Sequence, residues 1–270
     1  FFISDFSESE IEKMLSLNFD FEILINDVTH FYKQRNKLSD KSVKNIFCEE
    51  NENIFETPEN YDFKPSDDFG GFYTYNEMLN ELDDMHNLYP EIISPRSDIK
   101  DETFSSSPHI HETYEGRYLQ WVKISDNPNV SEGEPQILYT ALHHAREPAS
   151  LQQLIYFMWY LLENYDSNDS IKQIIDNSEL FFVPCVNPDG YIFNETIEPN
   201  GGGMWRKNTR DSHGVDNNRN YSYIDENGSE VWNTSGTSSN PYGNTYAGNG
   251  PFSESENRAI RYFVESNSFK

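Results

Sequence analysis

The chain has 270 residues with 46 acidic and 20 basic side chains, and its formal net charge is −26. Nucleic acids and anionic membrane surfaces are excluded as default partners, because both require clustered lysine and arginine. The mean hydropathy of −0.78 would suit a disordered chain, but 15% aromatic residues supply the apolar surface that disordered chains lack. The composition therefore predicts a folded protein.

The first residues predict a small α+β segment. An acidic capping pattern at residues 7–10 precedes apolar residues at helical spacing up to Leu17, and residues 21–25 alternate as in a strand. Asn26 and Asp27 then predict the start of a second helix from residue 28. We take residues 1–47 as this segment.

Residues 48–71 are acidic, contain proline and lack apolar periodicity, so they are expected to form a linker. From residue 72 to residue 270, strands and helices alternate. Helices are predicted over 75–89, 148–165 and 253–266, and strands over 118–124, 136–142 and 180–186. This alternation predicts an α/β domain with helices on both faces of its sheet.

Membrane insertion and thiolate metal binding are not expected. The longest apolar run, residues 154–162, is too short to span a bilayer. Cys48 and Cys185 are the only cysteines, neither has a CxxC partner, and Cys185 is expected to be buried in a strand.

The turn after the strand at 136–142 carries metal-binding side chains. His144 and Glu147 are three residues apart, so within one turn both can reach a single ion about 2 Å from each. The carboxyl end of a strand is also where α/β sheets bind ligands. By itself this pair is a weak signal, because solvated His and Glu pairs are common.

A second feature is a basic cluster within an acidic chain, formed by Arg206, Lys207, Arg210 and Arg219. It predicts a pocket that receives an anion, while ordinary surface ion pairs are the alternative interpretation.

The motifs HAREP, NPDGY, MWRKN and GVDNNRNY occur in this order between residues 144 and 221. Together they resemble the zinc metallocarboxypeptidases of the pancreatic carboxypeptidase A/B type and their bacterial relatives. The resemblance covers almost all of residues 72–270 and implies a mixed, mostly parallel sheet. Residues 7–35 resemble the second half of the activation propeptide of that family.

The resemblance implies one Zn²⁺ per catalytic domain, held by His144 and Glu147, with Asp216 orienting His144. Arg206 would polarise the scissile carbonyl group and stabilise the oxyanion. The groups implied to bind the substrate and its terminal carboxylate are Arg146, Asn218 and Arg219.

A third histidine ligand and a glutamate general base are implied at positions beyond Lys270. His109, His111 and His213 are expected at the surface, and His143 is expected to support the turn. Glu254 and Glu256 head a helix and are not expected to be catalytic. The 270 residues alone are therefore expected to bind zinc poorly and to hydrolyse nothing at a normal rate.

The expected activity is hydrolysis of the C-terminal peptide bond of peptides and proteins by a zinc-activated water. Two alternatives stay open, namely a non-catalytic module that binds peptide C-termini and a deacylase or cell-wall peptidase on the same fold. We expect a secreted monomer whose signal peptide is not in this chain. Asn-x-Ser/Thr sequences compatible with secretion occur at Asn194, Asn220, Asn227 and Asn233.

An activating protease is an expected partner if residues 1–47 are a propeptide. Candidate trypsin-like cut sites are Lys33, Arg35, Lys37, Lys41, Lys44 and Lys64.

Overall fold

The computed structural model describes residues 8–27, 30, 56–100 and 111–269. The N-terminal part contains helix α1 (Glu8–Ser16), as predicted. The strand predicted over residues 21–25 is wrong, because these residues pair with no strand of the described chain and the Leu24 side chain is 65% exposed. The second helix predicted from residue 28 lies outside the described residues apart from His30.

The main sheet contains strands β1 (Ser97–Asp98), β2 (Gln120–Ile124), β3 (Gln136–Thr140) and β4 (Glu179–Val183), in the order β1-β2-β4-β3. Strands β3 and β4 are parallel, whereas β1 with β2 and β2 with β4 are antiparallel. The α/β class and the mixed sheet are confirmed, but antiparallel pairing predominates in the described part. β2 runs opposite to β3 and β4, because the helix-free connection from β2 to β3 leaves and returns at the same end of the strands.

The remaining elements surround this sheet. The helices are α2 (Tyr75–Leu88), α3 (Ala149–Asn164), α4 (Asp169–Ile175), α5 (Pro188–Ile197) and α6 (Ser255–Ser266). Short 3-10 turns occupy Phe69–Gly71, Arg210–Ser212 and Asn217–Arg219, and strands β5 (Tyr223–Ile224) and β6 (Glu230–Val231) form a hairpin. The predicted helices correspond to α2, α3 and α6, whereas α4 and α5 were not predicted.

Two apolar cores lie on opposite faces of the sheet because side chains alternate along β4. Leu180 and Phe182 pack in a core with buried residues of α2 and α3. Phe181 and Val183 point to the other face, where they share a core with Phe263 of α6 and its neighbours. Helices therefore cover both faces, as predicted.

The described part of the expected linker packs against the main domain. Tyr61 and Phe69 belong to the larger core, and the Tyr61 ring lies edge-on to Tyr156 with centroids 5.0 Å apart. The Lys64 side chain is only 9% exposed and forms ion pairs with Asp68 and Glu77. Access of a protease to Lys64 is therefore restricted in the folded chain, and the other five candidate cut sites lie outside the described residues.

Cys185 is 3% exposed and carries a free thiol, which confirms the prediction that it is buried. Cys48 lies outside the described residues. No helix in the described ranges is long and apolar enough to cross a membrane.

Candidate active site

The predicted metal-binding turn follows β3 at the carboxyl end of the parallel β3 and β4 strands. Leu142, two residues after the end of β3, adopts a positive φ of 52°. The Leu142 N–H donates to Ser150 Oγ at 3.1 Å, and its carbonyl oxygen accepts from the Asn187 N–H at 3.0 Å. The turn is therefore fixed both to α3 and to the segment after β4.

The two ring nitrogens of His144 contact two different carboxylates. Nδ1 lies 3.1 Å from Glu147 Oε2, and Nε2 lies 3.0 Å from Asp216 Oδ1. Burial alone would lower the pKa of His144, but the hydrogen bonds to Asp216 and Glu147 raise it above its ordinary value. The hydrogen bond from His144 in turn lowers the pKa of Glu147.

Arg206 joins the same two carboxylates from the opposite side. Its Nε and Nη2 atoms lie 3.2 Å and 3.1 Å from Asp216 Oδ2, and Nη1 lies 3.3 Å from Glu147 Oε1. Asp216 has no exposed surface, so burial would raise its pKa, but the hydrogen bond with His144 and the charge of Arg206 hold it below its ordinary value. These four side chains form one connected, charge-compensated group.

Asn218 and Arg219, which are predicted to bind an anion, come two and three positions after Asp216 in the sequence. The Asn218 N–H donates to Asp216 Oδ1 at 3.0 Å, which caps the short turn Asn217–Arg219. The Arg219 guanidinium group donates from Nε to the Gly236 carbonyl oxygen at 3.2 Å and from Nη1 to the Asn218 carbonyl oxygen at 2.9 Å. Arg146 is partly exposed on the turn between His144 and Glu147.

The other histidines have separate environments. His143 Nε2 lies 3.0 Å from the Tyr221 hydroxyl, and burial lowers the pKa of His143 to about 4, which agrees with a supporting role. The expectation that His111 lies at the surface is wrong, because it is 6% exposed and its ring lies against Tyr262. His213 is partly exposed beside Tyr246, and His109 lies outside the described residues.

Glu254 and Glu256 lie at the start of α6, as predicted, but they are buried. They are 2% and 1% exposed, and both accept hydrogen bonds from Asn208 Nδ2. They therefore contribute to the support of the segment that contains Arg206 rather than to a solvated helix end.

Sequence analysis did not assign a role to Asn187, which joins two parts of the site. Its side-chain Nδ2 donates to the carbonyl oxygens of His143 at 3.3 Å and Arg206 at 3.4 Å. Its Oδ1 accepts from the Gly190 N–H at 3.0 Å and so caps α5. The Asn-Pro pair in NPDGY, with Asn as the cap and Pro in the first turn, was the available signal for this helix.

Asp189 and Gly190 of the NPDGY motif also have structural roles. Asp189 is buried and accepts hydrogen bonds from Thr113, the Glu115 N–H and Arg117, which anchors the turn before β2. A Cβ atom at Gly190 would collide with the Lys207 carbonyl oxygen. Only a glycine lets α5 approach the Arg206 segment this closely.

His144 and Glu147 fit a zinc ion as two of its ligands. Zinc binds imidazole nitrogen and carboxylate oxygen at about 2.0–2.2 Å, and donors that lie 3.1 Å apart can share one ion at these distances. The carboxylate on the second ring nitrogen is the usual partner of a zinc-binding histidine. In the part of the chain that is described, the one group of three close His, Cys, Asp or Glu donors is elsewhere, at Asp126, Glu132 and Glu134.

Residues 98–270 match the family model of zinc carboxypeptidases. This match covers more than half of the chain, so the chain belongs to the zinc carboxypeptidase family.

Curated relatives carry corresponding names. Metallocarboxypeptidase A of Trichophyton rubrum is 29% identical over 219 residues, which are 74% of this chain and 46% of the relative. Carboxypeptidase B of Helicoverpa zea is 33% identical over 199 residues, which are 70% of this chain and 40% of the relative. The chain thus spans less than half of the length of these two relatives.

Solved structures show the same fold. Carboxypeptidase A from Helicoverpa armigera superposes with a TM-score of 0.65 at 20% identity, covering 96% of this chain and 55% of that one. Bovine thrombin-activatable fibrinolysis inhibitor, solved in complex with tick carboxypeptidase inhibitor, gives a TM-score of 0.55 at 25% identity, covering 73% and 56%. The α/β architecture is therefore that of carboxypeptidases.

Proposed function

We propose that this protein is a zinc-dependent metallocarboxypeptidase that hydrolyses the C-terminal peptide bond of peptides and proteins. The observation that carries the proposal is the pair of contacts made by the His144 ring, in which Nδ1 faces Glu147 and Nε2 faces buried Asp216. Family membership supports the same reaction and gives no preference to a binding module or a deacylase.

His144 and Glu147 are the proposed zinc ligands in this chain. Asp216 accepts a hydrogen bond from the Nε2–H group, which keeps the proton on Nε2 and leaves the lone pair of Nδ1 for the metal. When bound, zinc supplies Lewis-acid polarisation of the carbonyl group and activation of water. The buried position of Asp216 fixes the His144 ring before any metal arrives.

Arg206 is the proposed oxyanion-stabilising residue. Asp216 holds the Nε and Nη2 atoms of Arg206. Only the Nη1 end, which faces Glu147, is therefore free to move. A preorganised guanidinium group beside the metal ligands stabilises negative charge that develops on the scissile carbonyl oxygen. Loss of one such donor typically costs about 10²–10³-fold in rate.

Asn218, Arg219 and Arg146 are proposed to bind the substrate and its terminal carboxylate. Within the described residues Arg219 has no carboxylate at ion-pair distance, and its charge acts on the buried carboxylate of Asp216 without a direct contact. Its donors are held by backbone carbonyl groups, and a carboxylate would gain charge-assisted hydrogen bonds there. An exopeptidase needs this recognition of a free carboxylate.

The N-terminal residues are proposed to be part of an activation propeptide, and the protein is proposed to be secreted as a zymogen and activated by another protease. The resemblance of residues 7–35 to the second half of the activation propeptide supports the first point. For secretion, Asn227 and Asn233 are exposed and open to glycosylation, whereas Asn194 and Asn220 are buried.

The test uses the protein that contains this chain and two peptides that differ only at the C-terminus, a free carboxylate and an amide. Mass spectrometry should show loss of single residues from the first peptide only, and a zinc chelator should stop it. Internal cleavage, or equal cleavage of the amidated peptide, would overturn the proposal.

A further inference from the structure

Residues 232–237, which follow β6, contact Arg219 at two separate points. The Trp232 indole Nε1 donates to the Arg219 carbonyl oxygen at 3.1 Å. Gly236 offers its carbonyl oxygen to Arg219 Nε at 3.2 Å. One short segment therefore holds both the backbone and the guanidinium group of this arginine.

The segment has internal support. Thr237 donates from its N–H to the Thr234 carbonyl oxygen at 3.2 Å and from Oγ1 to Asn233 Oδ1 at 2.6 Å. These bonds close residues 233–237 into a turn. Gly236 adopts a φ of 88°, which glycine permits at little cost and which directs its carbonyl group.

Ser238, which follows this segment, is connected through backbone hydrogen bonds to Asp216 of the metal-binding group. The Ser238 N–H donates to the Thr245 carbonyl oxygen at 2.9 Å, and the Asp216 N–H donates to the Tyr246 carbonyl oxygen at 2.9 Å. Residues 245–247 therefore connect the support of Arg219 to the backbone of Asp216.

We propose that Trp232 and Gly236 are positioning residues that hold Arg219 in the orientation needed to recognise a substrate carboxylate. The inference rests on the proposed function. A guanidinium group anchored by neutral carbonyl oxygens keeps its full positive charge, whereas an anchoring carboxylate would neutralise it. Arg219 is thus preorganised for an anion without being paired to one.

The test measures binding of N-acetylglycine and N-acetylglycinamide to purified residues 1–270 by NMR titration, with the Arg219 Nε–H resonance as a local probe. The wild-type chain should bind the carboxylate and not the amide. Trp232→Phe and Gly236→Ala should each weaken carboxylate binding by about three- to tenfold, the loss expected for one ordinary hydrogen bond. Both should shift the Arg219 resonance.

Two controls separate positioning from general destabilisation. Gly228→Ala is matched to Gly236→Ala, because Gly228 also has a positive φ of 77° with open space around its Cβ position but lies in the β5–β6 turn. Tyr242→Phe alters an aromatic residue that is 85% exposed in the following loop. Both controls should bind the carboxylate as the wild type does.

The variant Arg219→Ala distinguishes the two proposals. If it keeps the preference for carboxylate over amide, Arg219 is not the recognition residue and that part of the proposed function fails. If it loses the preference while Trp232→Phe and Gly236→Ala bind as the wild type does, the positioning role of residues 232–237 is overturned and the proposed function stands.

Discussion

The backbone N–H of Ala145 donates to the carbonyl oxygen of Arg206 at 3.0 Å. This bond joins the turn that carries His144 to the segment that carries the proposed oxyanion-stabilising arginine. Asn187 reinforces it by donating to the same Arg206 oxygen. The metal ligands and Arg206 are therefore held in a fixed relation by backbone contacts as well as by side chains.

Zinc binding should depend on His144 and Glu147. Because the described residues offer two donors at this site, purified residues 1–270 should bind zinc weakly, and His144→Ala or Glu147→Gln should abolish that binding. Competition with a chromophoric chelator measures the affinity, and His213→Ala is the control. Tight zinc uptake that persists in His144→Ala would contradict the assignment.

Asp216→Asn should lower zinc affinity by about tenfold or more, because the amide has one acceptor oxygen for His144 and Arg206, and its NH2 group would face one of these two donors. It should also destabilise the fold by about 3 kcal/mol, since Arg206 would lose a buried partner. Chelator competition and urea unfolding measure the two effects. Asp211→Asn, at an exposed residue, should change neither.

Gly190→Ala should destabilise the protein by about 1–3 kcal/mol, because the added methyl group meets the Lys207 carbonyl oxygen in a closely packed region. Gly250→Ala is the matched control, since nothing lies within 4 Å of its Cβ position. Thermal unfolding compares them. Equal melting temperatures would show that α5 does not pack closely on the Arg206 segment.

Removal of the Asn187 amide should uncouple the two parts of the site. Asn187→Ala leaves the His143 and Arg206 carbonyl groups without this donor and removes the cap of α5, at a cost of about 1–3 kcal/mol. Zinc affinity should fall as well, although Asn187 is not a ligand. Asn168→Ala, which removes the cap of α4, is the control that should lower stability alone.

The contribution of Glu256 to stability should decrease as the pH rises. Burial raises the pKa of Glu256 from 4.5 to about 7 in the folded state. The folded state therefore holds the proton more tightly, and this contribution is complete below pH 4.5 and is lost as the pH rises through about 7. Glu256→Gln should be more stable than the wild type at about pH 8 by roughly 1–3 kcal/mol, and of similar stability near pH 4.5.

Urea unfolding across this pH range measures the effect. Two other partly buried groups should leave a residual pH dependence in the variant. Burial raises the pKa of Glu195 to about 7 and lowers the pKa of His143 to about 4, so their contributions have opposite signs. Glu265→Gln, at an exposed position of the same helix, should follow the wild-type curve. A stability difference between wild type and Glu256→Gln that stays constant from about pH 5 to pH 8 would contradict the assignment.

Local sequence was sufficient to predict the long helices and the buried strands. The apolar spacing of α2, α3 and α6 and the short apolar strands fix those elements because their buried faces recur at the helical or strand period. The strand predicted over residues 21–25 was wrong for the complementary reason: alternation does not make a strand unless another strand supplies hydrogen bonds.

For the site, the sequence by itself determined the residue types and their order, since His144 and Glu147 are three positions apart and the basic residues recur downstream. It could not show which residues meet, because Asp216 lies 72 positions from His144 and reaches it only through folding. The tertiary structure also decided that Asn187 and Trp232 support the site, because a backbone carbonyl group as a hydrogen-bond partner leaves no mark in the sequence.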